Sequence, residues 1–293
     1  LREGGYSNLV VSDIGDFDLT DSRAVDAFFA RERPEYVFLA AAKVGGIKAN
    51  DAFPADFIRI NLQIQTNVID AAHRHGVSKL LFLGSSCIYP KHAPQPMKEE
   101  HLLTGPLEPT NDAYALAKIA GIVMCRSYNR QHGSRFIAAM PTNLYGPGDN
   151  FDLESSHVLP AMIRKFHEAK LAGRPSVELW GTGAPKREFL FVDDLADALV
   201  FLMEKFEPSF ARMFLNVGVG EDLSIKELAE LVRRTVGFEG DIAWNAAMPD
   251  GTPRKLLDVS GLRDLGWSAA TPLEAGLAKT YAWFLENIDR VRR

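Results

Sequence analysis

Lys79-Leu-Leu-Phe-Leu83 runs straight into Gly84-Ser-Ser-Cys-Ile-Tyr89. Five residues with an apolar run, closed by a Gly-Ser-Ser turn, predict a short strand buried on both faces and ending in a polar loop. The chain repeats this pattern in both directions. Upstream, Leu9-Val10-Val11 and Tyr36-Val-Phe-Leu-Ala40 read as strands, separated by a helix from about Thr20 that stops before Pro34. A long helix from Asp56 to His75 follows, closed by Gly76. Downstream, Asp112 to Gln131 reads as a helix ending near Gly133, and Arg135 to Met140 as the next strand. Strands alternating with helices are the mark of βαβ units on a parallel sheet, so the expected fold is α/β, doubly wound and Rossmann-like.

The second half is less regular. Helices are expected over Val158 to Ala172, Val192 to Lys205 and Pro272 to Asn287, with strands at Val177-Glu-Leu179 and Phe214-Leu-Asn-Val217. Ser224-Ile-Lys-Glu227 is a capping box that opens a helix running to Val236. No repeat or low-complexity linker divides the chain, which predicts a second, smaller α/β unit interleaved with the sheet. The expected division is a dinucleotide-binding unit over 1–155, continued by 188–218, and a substrate unit over 156–187 and 219–293.

The composition narrows the function. Of 293 residues, 46% are hydrophobic and 24% charged, as in an ordinary globular protein. A net charge of −5 leaves no basic footprint for nucleic acid. No apolar run approaches the ~18 residues of a membrane span. Two cysteines make no disulfide framework and favour a reducing cytoplasm. The seven histidines are scattered, and no metal site is expected.

Several positions carry chemistry. Tyr114 and Lys118 are one helical turn apart, so an ammonium could lower the phenol's pKa and ready it to protonate a carbonyl oxygen that receives hydride. A solvated helix face would show the same spacing. Ser85 sits where ligands bind in a doubly wound sheet, at the C-terminal end of a strand. Cys87 is either an inert core thiol or a partly exposed one. Pro141-Thr-Asn-Leu-Tyr-Gly-Pro147 either lies against a cofactor or is a tight loop. His157 precedes a helix, as a cap or as a working group. Asp193 and Asp194 suit a helix N-terminus. Arg187 has no such structural excuse. Asp250-Gly-Thr-Pro-Arg-Lys255 carries two cations, as a phosphate loop or a solvated one would.

In their order and spacing, Gly84-Ser-Ser, Tyr114-xxx-Lys118, Pro141-Thr-Asn-Leu-Tyr-Gly-Pro147 and Arg187-Glu-Phe-xx-Val-Asp-Asp194 resemble the extended short-chain dehydrogenase/reductase family acting on nucleotide sugars. Ala41-Ala-Lys-Val-Gly-Gly46, Ser85-Ser-Cys-Ile-Tyr-Pro90, Pro109-Thr-Asn111, Asp149-Asn-Phe151, Ser156-His-Val158 and Asp250-Gly-Thr-Pro-Arg-Lys-Leu256 narrow the resemblance. They resemble the branch that inverts C3 and C5 of a GDP-linked 4-keto-6-deoxy sugar and then reduces C4. The resemblance implies Tyr114 as general acid at the C4 oxygen, Lys118 holding the nicotinamide ribose, and Ser85 polarising the ketone. It implies Cys87 as base and His157 as acid for the inversions, with a lowered thiol pKa supplying thiolate. It places Lys165, Trp180 and Arg187 on the GDP-sugar. Leu83, Gly84, Ser85, Ser86, Lys118, Pro141, Thr142, Asn143, Leu144 and His157 fall at the cofactor, expected to be NADP(H). A homodimer built from the two long helices is implied as well.

The family opens with a strand and a glycine-rich, pyrophosphate-binding turn, and neither is in this sequence. Leu1-Arg-Glu-Gly-Gly5 reads as the end of a helix, so an upstream segment is expected; a chain truly starting at Leu1 would bind cofactor poorly. Asp13 stands near the place of the ribose-binding acid that favours NAD, whereas the resemblance points to NADPH. The competing readings are a related reductase or epimerase on another nucleotide sugar, and a nucleotide-sugar-binding protein without redox activity.

Overall fold

The computed structural model describes residues 1–13, 15–209, 212–248 and 250–291, without the side chain of Ile47. The strands are β1 (Tyr36–Leu39), β2 (Lys79–Leu83), β3 (Phe136–Pro141), β4 (Asn143–Tyr145), β5 (Ser176–Trp180), β6 (Lys186–Arg187), β7 (Phe189–Phe191), β8 (Phe214–Val217), β9 (Leu223–Ser224), β10 (Asp241–Asn245) and β11 (Arg254–Lys255). The helices are α1 (Ser22–Glu32), α2 (Ile47–Ala52), α3 (Pro54–Arg74), α4 (Asp112–His132), α5 (Val158–Leu171), α6 (Val192–Lys205), α7 (Ile225–Val236), α8 (Ser260–Asp264) and α9 (Leu273–Glu286).

The central sheet is parallel, with strand order β1-β2-β3-β8. Alternation along β2 shows why it is doubly wound. Leu80 and Phe82 pack with Ile64, Val68 and Ile122 from α3 and α4. Leu81, between them, faces Leu195, Ala198 and Leu202 of α6 on the opposite side. Side chains of successive strand residues point to opposite faces, so a strand apolar throughout must be covered on both. A third core joins α5, α7 and α9 around Phe166, Leu228, Val232, Leu277 and Phe284, and reaches Tyr145 and Phe191 of the parallel β4–β7 pair. Three small ladders complete the second half: β5 with β10, β6 with β11, and β6 with β9.

Local signals set most boundaries. Gly133 closes α4 at φ +69°, and Ser224 with Glu227 caps α7 as read from the sequence. Other expectations need correction. The cap of α1 is Asp21, whose carboxylate accepts the amides of Arg23 and Ala24, rather than Thr20. Pro54 starts α3, since a first-turn position needs no N–H donor. Leu9-Val10-Val11 is no strand: it is irregular, and Val11 is 80% exposed. A strand needs a neighbour for its ladder, and this segment pairs with none among the described residues. Pro141 to Leu144 is not a simple turn, because the chain passes from β3 directly into β4. No helix is long and apolar enough to cross a membrane among the described residues.

Candidate active site

The loop after β2 is packed, not free. A Cβ at Gly84 would meet the tip of the Met140 side chain at 2.0 Å and the Ala139 carbonyl of β3 at 3.3 Å, so the loop lies close against β3. Ser85 Oγ accepts the amide of Cys87 at 3.4 Å and so caps a single 3₁₀ turn over Ser86–Ile88. Tyr89 anchors the turn by donating to Asn216 Oδ1 at 2.5 Å, and Asn216 donates onward to the carbonyls of Met97 and Asp258. Cys87 is therefore buried.

Helix α4 brings Tyr114 and Lys118 to this loop. The Tyr114 hydroxyl is in hydrogen-bonding reach of Ser85, and Phe57 meets its ring edge-on at 6.2 Å. Lys118 is buried, with Nζ 5.7 Å from the Tyr114 ring centre and donating to the Leu83 carbonyl at 2.8 Å. Its two other N–H donors have no hydrogen-bond partner among the described residues. A buried ammonium with unfilled donors, at the C-terminal ends of β2 and β3, fits the hydroxyls of a dinucleotide ribose.

The electrostatics differ from the sequence expectation. Burial, reinforced by Cys87, lifts the Tyr114 phenol well above its usual range, and Ser85 opposes only part of this. Desolvation disfavours the phenolate, and no favourable effect of Lys118 on it stands beside that of Ser85. The same burial lowers Lys118 from 10.5 to about 8. Cys87 is likewise pushed up by burial, with Ser85, Lys255 and Lys118 pulling down. The expected lowered thiol pKa is thus corrected. The resting group is a thiol with two cations in range.

Lys255 was missed as a partner of Cys87. In the β6–β11 ladder it stands directly opposite Arg187, and a small cleft over Cys87 is lined by Ser86, Glu108, Thr252, Arg254 and Lys255. Burial lowers the pKa of both cations, Asp250 opposing it at Arg187 and Cys87 at Lys255. Asp250 itself is fixed by the amide and hydroxyl of Thr182 at 2.6 and 2.7 Å. The sequence marked the Asp250–Lys255 turn as cationic, but its place beside the thiol arises from strand pairing.

Trp180 ends β5 and is 46% exposed. Lys165 Nζ lies 5.6 Å from its ring centre and Lys48 Nζ 4.5 Å, so two cations attend one indole. Lys48 comes from α2, six residues long and without a readable period, and sequence reasoning passed over it. His157 caps α5 with its backbone and is exposed. Its charged neighbour is Asp149, and among the described residues no hydrogen bond or charge interaction joins it to Cys87. Beyond β3, the Thr142 hydroxyl and the Asn143 amide both donate to the Glu188 carbonyl, at 3.3 and 2.8 Å, and Leu144 pairs with Leu190. Asp194 does more than favour a helix start, because its carboxylate accepts the amide and hydroxyl of Thr271.

A doubly wound parallel sheet with serine, tyrosine and lysine converging at its C-terminal strand ends defines a nucleotide-cofactor α/β protein. The chain belongs to the NAD dependent epimerase/dehydratase family, whose profile matches residues 4–218, and within it to the group of the GDP-L-fucose synthases. GDP-L-fucose synthase 1 of Arabidopsis thaliana is 58% identical over 288 residues, covering 98% of this chain and 88% of that protein. GDP-L-fucose synthase of Escherichia coli (strain K12) is 55% identical over 300 residues, covering 100% and 93%. The crystal structure of a GDP-L-fucose synthetase from Naegleria fowleri bound to NADP has a TM-score of 0.89 at 30% identity, covering 97% and 87%.

Proposed function

We propose that this protein converts GDP-4-keto-6-deoxy-D-mannose to GDP-L-fucose, inverting C3 and C5 and then reducing C4 with NADPH. The observation that carries the reading is the meeting of Ser85, Cys87, Tyr114 and Lys118 at the end of β2. The names of its relatives support the substrate and the cofactor.

The residues divide the work by chemistry. The hydrogens on C3 and C5 are acidic because the C4 ketone delocalises the resulting carbanion. At each inversion Cys87, having first lost its own proton to solvent, takes the carbon's proton from one face as thiolate, His157 gives a proton to the other face, and both groups then re-equilibrate with solvent. Lys255 and Lys118 stabilise that thiolate. Ser85 donates a hydrogen bond to the C4 oxygen, and Tyr114 gives it a proton in the reduction. A phenol held above its usual range keeps its proton until the developing alkoxide needs it. Lys118 holds the ribose of NADP(H), with Leu83, Gly84, Ser86 and Pro141 to Leu144 lining the rest of that site. NADPH, when bound, supplies the hydride. Trp180, Lys165 and Arg187 hold the GDP moiety.

In this reading 1–155 with 188–218 binds the dinucleotide, and 156–187 with 219–293 binds the sugar nucleotide. The protein works in the cytoplasm as a homodimer. The outward side of α4 supports that assembly, because Leu116 is exposed there and Val123 and Met124 are only partly covered.

Two variants test the division. With GDP-4-keto-6-deoxymannose and NADPH in deuterium oxide, Cys87→Ser should stop deuterium entering the sugar. Tyr114→Phe should stop NADPH oxidation while exchange continues. Equal loss of both activities in both variants contradicts the assignment.

A further inference from the structure

Arg187, assigned above to the GDP-sugar, and Lys255, assigned to the Cys87 thiolate, sit on a very short ladder. β6 and β11 pair through only Lys186 with Arg254 and Arg187 with Lys255. Two residue pairs are too few to hold a register alone. Yet the register decides whether Lys255 stands beside Arg187 and Cys87, since a slip of one residue would turn it to the other face.

The residue after Arg187 is Glu188, whose side chain is fully buried. One carboxylate oxygen accepts the amides of Val219 and Gly220, at 2.6 and 2.7 Å. The other accepts the amide of Leu257 at 3.0 Å, two residues beyond Lys255. Among the described residues no cation pairs with it; its hydrogen-bond donors are backbone amides. Burial raises its pKa against those bonds. A carboxylate buried without an ion pair is costly, and a fold that only needed packing would not require one. Glu188 spans three segments: its own beside β6, the turn that follows β8 of the central sheet, and the stretch just beyond β11, which carries Lys255.

We propose that Glu188 is a positioning residue for GDP-sugar binding, clamping the β6–β11 ladder so that Arg187 and Lys255 face the substrate together beside Cys87. This rests on the reading of those cations given above. Glu188 touches neither substrate nor cofactor in this scheme. Its carboxylate acts through the two cations; Thr142 and Asn143, on the NADP(H) side, are held by its main-chain carbonyl, which a side-chain substitution leaves in place.

The test compares Glu188→Gln with Gly218→Ala. The first keeps shape but turns an amide N–H toward backbone donors. The second keeps every hydrogen-bonding group but builds a Cβ 2.2 Å from the Glu188 oxygen, so the carboxylate must move. Lys79→Met, in the buried lysine at the opposite end of β2, serves as a control for plain destabilisation. GDP affinity by calorimetry, NADPH affinity by fluorescence, and KM for the keto sugar are measured at one temperature. Glu188→Gln should weaken GDP binding and raise KM about tenfold or more, with NADPH affinity within about twofold. Gly218→Ala should shift them in the same direction by less, and Lys79→Met should leave them unchanged. GDP affinity unchanged in Glu188→Gln, or GDP and NADPH affinities falling by the same factor, overturns the proposal. Should Glu188→Gln not fold, Gly218→Ala decides alone by the same criteria. Should the wild-type protein bind GDP yet leave the keto sugar unreacted, the functional reading fails, and the GDP affinities still decide the role of Glu188.

Discussion

Replacing Lys118 by methionine should make the protein more stable and less active. Lys118 is buried, and its pKa falls from 10.5 to about 8 for want of water around the ammonium. That difference is worth ~3 kcal/mol carried by the charged form. Because the folded pKa lies below the unfolded one, the unfolded chain binds more protons between about pH 8 and 10.5, and stability rises with pH across that window. Below about pH 8 the cost is present in full. Lys118→Met removes it but leaves the Leu83 carbonyl without its donor, a loss of ~1–2 kcal/mol. The net expected at pH 7 is a gain of ~1–2 kcal/mol, in line with replacing buried charges by apolar groups. For 293 residues the unfolding entropy is ~0.6 kcal/mol per degree, so the melting temperature should rise by ~2–3 °C. Melts of both proteins at pH 7, 8, 9 and 10 give a difference curve in which all shared titrations cancel. The advantage of methionine should shrink by ~2–3 kcal/mol between pH 7 and 10. Reduction of the keto sugar should meanwhile fall by ~10²-fold or more, because the ribose loses its holder. A difference curve flat with pH would refute the claim that Lys118 is held charged at a cost.

Other outcomes follow from the same site. Tyr114→Phe should lower NADPH oxidation by ~10²–10⁴-fold, the usual worth of a general acid, while deuterium exchange persists; a smaller loss points to another proton donor. Lys255→Met removes a cation that draws the Cys87 pKa down, so exchange at pH 7 should slow about tenfold and its rising pH limb should move to higher pH. An unmoved limb would remove Lys255 from the base. Lys79→Met should destabilise, because Lys79 Nζ donates to the carbonyls of Leu202, Met203 and Phe206 at the end of α6. Losing those bonds should cost ~3 kcal/mol or ~5 °C in the thermal melt. A melting temperature within a degree of wild type would show that water replaces the ammonium there.

The amino-acid sequence by itself determined what short range controls. The 3.6 and 2.0 residue periods placed β2, α4, α6 and β8 within a residue of their observed ends. Ser224 and Glu227 announced α7, and the spacing of Tyr114 and Lys118 put both on one face of α4. Leu9-Val11 misled because its apolar pattern says nothing about whether a partner strand stands beside it. The tertiary structure alone decided the electrical state of the site and its distant members. Cys87 and Tyr114 have raised pKa values, and Lys118 a lowered one, because packing excludes water, and desolvation is a property of the surroundings rather than of spacing. Lys255 reaches Arg187 and Cys87 through a strand register, and Glu188 reaches Leu257 and Val219 across three chain segments. Spacing along the chain specifies neighbours within a turn or two. Groups brought together from far apart in the chain are specified by the whole core that folds between them.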